Sequence, residues 1–216
     1  MSVKLIAITQ PRIDTDGNSC ENGDPQQMSP GDFIAYVARV SNPSNQTNTL
    51  TANKLLKYLI EHKHWSPFEL LHITMSIDTT RDIGRQILRH GSFKFQEFSQ
   101  RYADVSSLGD LFSDFREARL QDPKNRQNSV ETDDEDLASD WDGLQDEVKL
   151  VASRAYQWAL DNGIAKEQAR VVLPEGLTNT RMYMSGSLRS WIHYCDLRMA
   201  NGTQKEHADI AKACWE

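Results

Sequence analysis

Residues 65–90, WSPFELLHITMSIDTTRDIGRQILRH, change their hydrophobic period partway along. Pro67 stops the preceding helical pattern. Leu71, Ile73, Met75 and Ile77 then alternate, which puts one apolar face on an extended segment. From Thr80 to His90 the apolar residues return at helical spacing. A strand that runs straight into a helix needs both a sheet to join and a layer to pack against it, which implies an α/β or α+β core.

The rest of the chain supplies partners for that unit. VKLIAIT (Val3–Thr9), bounded by Pro11, reads as an opening strand, and residues 14–30 read as a loop rich in Asp, Gly, Asn, Pro and Ser. Helical spacing recurs over Gly31–Val40 and over Thr51–His62, where Leu55, Leu56, Leu59 and Ile60 share a side. Further helices are expected over Ile164–Val172, over Ser185–Met199, and from about Ser129 to Asn162. Residues 105–148 include the acidic run ETDDEDLASD and are expected to form an exposed, mainly helical insertion whose acids form a solvated face and helix start. The expectation is one domain, 1–216, with a central, mostly antiparallel sheet flanked by helices.

At 216 residues with a net charge of −7, the chain has enough length for a core and lacks the broad basic footprint of a sequence-independent nucleic-acid binder. The three cysteines, Cys20, Cys195 and Cys214, are scattered without metal-ligand spacing and read as reduced thiols of a cytoplasmic protein. Cys195 falls on an apolar stripe with Trp191, Ile192 and Met199, where packing is the simpler role. MSVKLIAITQ has no signal-peptide architecture, and no segment approaches the roughly 18 apolar residues of a membrane span. His62, His64 and His72 match no common zinc spacing, so no metal site is expected.

Against the acidic total, RQILRHGSFKFQEFSQRY (Arg85–Tyr102) is crowded with positive charge. Arg81, Arg85 and Arg89 recur every fourth residue of the expected helix, a spacing that costs a few tenths of a kcal/mol per like-charged pair. Asp78 and Asp82 offer a plain explanation, a salt-bridged surface helix. Gln86 beside Arg89, followed by Glu97, Ser99 and Arg101 at period two, offers another. Guanidinium forks bind phosphate, and hydroxyl and amide groups read a sugar or base edge. Together they suggest a nucleotide monophosphate site without the glycine-rich cradle of a P-loop.

The same segment resembles the signature of the flavin-dependent thymidylate synthases, with Arg89, His90, Glu97, Ser99, Arg101 and Tyr102 on matching positions. ARVSNP (Ala38–Pro43), HWSPFE (His64–Glu69), ARVVLP (Ala169–Pro174), SLRSWIHYCDLR (Ser187–Arg198) and the QxE of Gln204–Glu206 resemble further family stretches, in order. The resemblance implies reductive methylation of dUMP to dTMP, with methylenetetrahydrofolate as carbon donor and FAD relaying hydride from NADPH. It places Gln86, Arg89, Glu97, Phe98, Ser99, Gln100, Arg101, Arg170 and Arg198 around dUMP, with Arg198 also stabilising charge on the uracil. It places Ser41, His64, Ser66, Glu69, Arg89, His90, Gly91, Glu97, Ser187, Arg189 and His193 around FAD. It further implies a homotetramer with sites shared between subunits.

This chemistry requires no enzyme nucleophile, so Ser99 reads as a ligand. Two positions depart from the pattern: Gly91 stands where the family usually carries arginine, and Ser187 where asparagine is usual. Either Lys94 or another subunit supplies the missing charge, or flavin affinity falls. The alternative is therefore a nucleotide-binding relative with weakened or lost flavin chemistry.

Overall fold

The structure, a computed structural model, describes residues 1–216. In chain order the elements are β1 (Ser2–Ile8), α1 (Pro30–Ala38), α2 (Ala52–Glu61), β2 (His72–Thr80), α3 (Arg81–Ile87), β3 (Lys94–Glu97), β4 (Arg119–Gln121) and β5 (Ser129–Glu131). They continue with α4 (Glu135–Asp161), α5 (Lys166–Ala169), β6 (Asn179–Ser187), α6 (Leu188–Met199) and α7 (Lys205–Trp215). The main sheet has the order β1-β2-β6-β3, and β4 and β5 form a separate antiparallel ribbon. Hydrogen bonds near the strand ends fix the sense of the pairing. Ser2 donates to Asp78 at one end of β1–β2, and the Thr9 amide donates to the His72 carbonyl at the other. Likewise Thr74 bonds Ser185 while Arg181 bonds Asp78. Both pairs are antiparallel, as expected of the sheet.

By its internal packing the chain divides into two compact units. One comprises Met1–Lys4, Ser76–Met184 and Tyr194–Glu216, and the other Leu5–Met75 and Ser185–His193. In the second unit, Ser29 caps α1 by accepting from the Asp32 amide, and Pro30 opens the helix. The helix then buries Ile34 against Leu59 of α2, Phe68, Leu71 and Ile192.

The first unit is built on the strand-to-helix junction. The Arg81 and Asp82 amides, which open α3, donate to the Thr178 and Glu175 carbonyls, so the helix start is satisfied by backbone. Ile77, Ile83, Ile87, Met182 and Met184 are fully buried there. Gly84 makes this packing possible, because a Cβ at its position would lie 2.9 Å from Met182 Cε and 3.3 Å from Thr180 Cγ2. A second cluster joins Val105, Tyr156 and Ala159 of α4 to Ala169 and Leu173.

Three differences from the sequence reading have physical causes. The helix expected from about Ser129 begins at Glu135, because Ser129–Glu131 pairs with Arg119–Gln121 and Asp134 caps the helix through the Leu137 amide. Residues 179–187, assigned in part to a helix, are strand β6, and α6 starts at Leu188. The segment Glu97–Arg101 is not extended throughout. β3 ends at Glu97, and the Ser99 carbonyl accepts from the Tyr102 and Ala103 amides in a turn.

Candidate functional site

The charges on α3 are accounted for one by one. Arg81 reaches Glu97 at 3.3 Å, and Arg85 pairs with Glu175. Asp82, which the sequence offered as their partner, is instead gripped by the Arg116 fork, with both oxygens at 2.7 Å. Burial alone would raise the Asp82 carboxyl; the guanidinium and the Thr80 hydroxyl outweigh it and hold it below the ordinary range. Asp78 is likewise taken by Arg181. Arg89 follows the end of the helix, exposed and holding none of these ion pairs. Of the expected arginine face, Arg89 alone remains available to an anion.

A chain of hydrogen bonds fixes Gln86. Its amide nitrogen donates to Gln204 Oε1 at 2.8 Å, whose own amide donates to Glu206 at 2.8 Å, and Arg119 closes the chain on Glu206. On the other side, Gln86 Oε1 lies 3.4 Å from His207 Nδ1, and His207 Nε2 lies 3.1 Å from the Tyr194 hydroxyl. Burial, with Arg198 and His90 nearby, pushes His207 down to about 4, so the ring is neutral at pH 7. A carboxamide oxygen only accepts, so His207 carries its proton on Nδ1 and accepts from Tyr194 on Nε2. Burial drives the Tyr194 phenol upward, consistent with a permanent donor.

Arg198, at the end of α6, donates from Nε to His90 Nε2 at 2.9 Å, and His90 also stands edge-on to the Tyr194 ring at 4.9 Å. Burial, then Arg198 and Arg89, lower the His90 pKa. The neutral ring therefore accepts from Arg198, which leaves the terminal nitrogens of that guanidinium free to meet a ligand.

The other expected nucleotide residues form separate groups of the same unit. Glu97 accepts from Thr180 at 2.9 Å as well as from Arg81, and the Phe98 amide pairs with the Arg181 carbonyl. Gln100 is buried, and its amide nitrogen has no partner. Such a donor, removed from water, awaits an acceptor. Arg101 and Arg170 converge on Glu167, the first through its carboxylate at 3.4 Å and the second through its carbonyl at 3.3 Å. No hydrogen bond joins this pair to the Arg198–His90 pair.

Of the residues expected around a flavin, Ser41, His64, Ser66, Glu69, Ser187, Arg189 and His193 lie in the second unit. Ser41 lines a cavity of about 570 Å³ together with Arg39, Asn42, Lys54 and Tyr58. His64 stands edge-on to Tyr58 at 6.1 Å, and Ser66 is exposed beside it in the chain. Glu69 accepts from Ser187 at 2.6 Å and from Arg189 at 2.7 Å, bonds that lower its pKa. The Ser187 proton is thereby committed within the protein. His193 is exposed and stacks edge-on against Trp65 at 4.6 Å.

In the first unit, a Cβ added at Gly91 would meet nothing within 4 Å, and the backbone there has no positive φ. Neither packing nor backbone therefore demands glycine at position 91. The residues sequence reasoning missed are His207, Tyr194, Arg119 and Arg116, each acting on a partner distant in sequence. For His207 a signal existed: His207, Ile210, Ala211 and Cys214 share the buried face of α7 at helical spacing.

Comparison with known proteins gives this geometry a context. Residues 26–216 match the family model for Thy1, thymidylate synthase complementing protein. A protein of Paramecium bursaria Chlorella virus 1 named "Probable flavin-dependent thymidylate synthase" is 49% identical over 100% of this chain and 93% of its own length. The flavin-dependent thymidylate synthase of a Synechocystis strain is 46% identical over 99% of this chain and 92% of its own. Among solved structures, the UMP/dUMP methylase PolB from Streptomyces cacaoi, bound with 5-Br dUMP, superposes with a TM-score of 0.74. It is 25% identical and the match covers 98% of this chain and 86% of PolB. The fold, the ordered motifs and these full-length likenesses agree that the chain belongs to the Thy1 family, the flavin-dependent thymidylate synthases.

Proposed function

We propose that this chain converts dUMP to dTMP, with methylenetetrahydrofolate as carbon donor and NADPH as reductant. What carries the reading is the likeness to flavin-dependent thymidylate synthases along the whole chain. From the structure, the buried and unpartnered Gln100 amide, in the segment Glu97–Arg101, supports a ligand at that segment.

In this reading Arg89, Arg101 and Arg170 receive the phosphate, and Gln86, Glu97, Phe98, Ser99 and Gln100 hold the sugar and base. Arg198 presents its terminal nitrogens to the uracil, where they stabilise negative charge on the ring as the reaction proceeds. Gln86 is a good reader of a base because its amide is fixed from both ends, and its orientation costs nothing to hold on binding. The cysteines do not suggest a competing nucleophile. Burial raises Cys195 to about 11 and Cys214 to about 12, far from a reactive thiolate. Ser99 makes no hydrogen bond to a histidine or acid that would activate it, and so acts as a ligand.

FAD, when bound, supplies the redox chemistry, passing hydride from NADPH. The residues present fit it. The cavity beside Ser41 is lined by hydroxyl, amide and ammonium groups, a donor set suited to an anionic cofactor, while the Arg39 guanidinium in its wall is committed to the Asn48 carbonyl and the Thr51 hydroxyl. Ser41, His64, Ser66, Glu69, Arg89, His90, Gly91, Glu97, Ser187, Arg189 and His193 would hold it. A homotetramer with shared sites, as the family likeness implies, completes the proposal. The whole chain, 1–216, then acts as one domain of a cytoplasmic enzyme.

The test is dUMP titration by calorimetry together with visible absorbance before and after FAD is added. The reading expects dUMP binding and a yellow, flavin-bound protein. Binding of dUMP with no flavin-bound form would favour the relative that has lost flavin chemistry, and binding of neither would overturn both.

A further inference from the structure

Gln86 stands in the middle of a hydrogen-bond relay that crosses three helices. The relay starts at Tyr194 on α6, passes through His207 on α7 to Gln86 on α3, and returns through Gln204 to Glu206 on α7. Its links measure 3.1, 3.4, 2.8 and 2.8 Å. Each member spends a proton on the next, so every donor points toward Glu206.

Most of the relay could point the other way equally well. A hydroxyl, a neutral imidazole and a carboxamide each hold both a donor and an acceptor. Reversal needs only the other tautomer at His207 and a half-turn of each amide. Glu206 is different, because a carboxylate only accepts. It is buried, and Arg119 holds it as an ion pair. Glu206 obliges Gln204 to turn its amide nitrogen inward, which leaves Gln204 Oε1 to accept from Gln86. A carboxylate that does not touch Gln86 therefore decides which end of the Gln86 amide is nitrogen and which is oxygen.

That polarity matters to a pyrimidine. Uracil presents a donor at N3 and an acceptor at O4, whereas cytosine presents an acceptor at N3 and a donor at N4. An amide turned to suit one edge opposes the other, and polar groups mispaired away from water are penalised beyond the lost bond.

We propose that Glu206 is a positioning residue that selects uracil over cytosine by fixing the polarity of Gln86. The inference rests on the dUMP reading given above, in which Gln86 meets the base.

Calorimetric titration of dUMP and of dCMP, with FAD present, into the wild type and Glu206→Gln tests it. The wild type should bind dUMP at least about 100-fold more tightly than dCMP. In Glu206→Gln, position 206 can donate as well as accept, the relay is free to reverse, and the preference should narrow about tenfold. It narrows without inverting, because the Arg198 guanidinium only donates and still favours an oxo group. A merely structural role would weaken both nucleotides alike; an unchanged ratio overturns the proposal. Glu206→Gln strands the Arg119 charge, so the double variant Arg119→Gln, Glu206→Gln replaces the whole pair by neutral amides and should narrow the ratio equally. In a Gln86→Met background, the change at position 206 should no longer move the ratio; a ratio that still responds overturns the route through Gln86. Equal binding of dUMP and dCMP by the wild type overturns the proposal alone, and binding of neither overturns the dUMP reading with it.

Discussion

Acidification should cost this protein folding stability through one buried ring. His207 is fully buried, and its pKa is held at about 4 against an ordinary 6.5. The folded value lies below the unfolded one, so the unfolded chain binds the proton more tightly. Stability from this group is therefore unaffected above about pH 7 and is lost as pH falls through 6.5 toward 4. Each tenfold difference in proton affinity is about 1.4 kcal/mol, so the complete loss is about 3 kcal/mol. Between pH 7 and pH 5 the linkage relation gives about 2 kcal/mol of that.

Replacing His207 with glutamine removes the titration and keeps a group able to bond Gln86 and Tyr194. Urea unfolding at the two pH values, at one protein concentration, gives the loss for each protein. Carboxylates lower stability in both, so the difference between the two losses isolates the ring. We expect the wild type to lose about 2 kcal/mol more than His207→Gln. Equal losses would refute the buried neutral histidine and, with it, the orientation assigned to Gln86.

Other consequences follow from the same geometry. Gly91→Arg enters open space beside His90 and adds one charged donor, worth about 1.5–3 kcal/mol where it meets an anion. Flavin fluorescence titration should show FAD bound about tenfold tighter or better; an unchanged affinity would mean that residue 91 does not face the cofactor. Gly84→Val drives a side chain into Met182 and should cost about 1–3 kcal/mol by overpacking, measured by urea unfolding; no loss would contradict the close approach of α3 to Met182 and Thr180. Burial and two cations, Arg198 and Arg89, lower the His90 pKa, so Arg198→Gln should raise it part of the way back in an NMR titration. A static value would show that Arg198 does not act on the ring.

How much of this was legible beforehand depends on how far apart the interacting residues are. Periodicity is a local signal, and it located α1, α2, β2 and α3 because each has a continuous apolar face, while β1 was legible from its β-branched run. It failed at Asn179–Ser187, where Met182 and Met184 point inward but Thr180 and Gly186 give the same face no large apolar side chain and Tyr183 is exposed on the other. The ribbon of β4 and β5 was hidden for another reason: its residues are mostly polar and its pairing depends on partners, not on pattern. Spacing alone singled out Arg89 and Glu97 as candidates for an anion site, whereas His90 and Arg198 entered only through the motif resemblance. The long-range bonds were not readable. Arg116 to Asp82, Arg119 to Glu206 and His207 to Gln86 each join residues separated by dozens of positions, and only the folded chain brings them together.

Release of tritium from [5-³H]dUMP in the presence of FAD, NADPH and methylenetetrahydrofolate tests the enzymatic proposal most directly. Release that requires FAD and falls sharply in Arg198→Gln is expected. No release at any FAD concentration would contradict it.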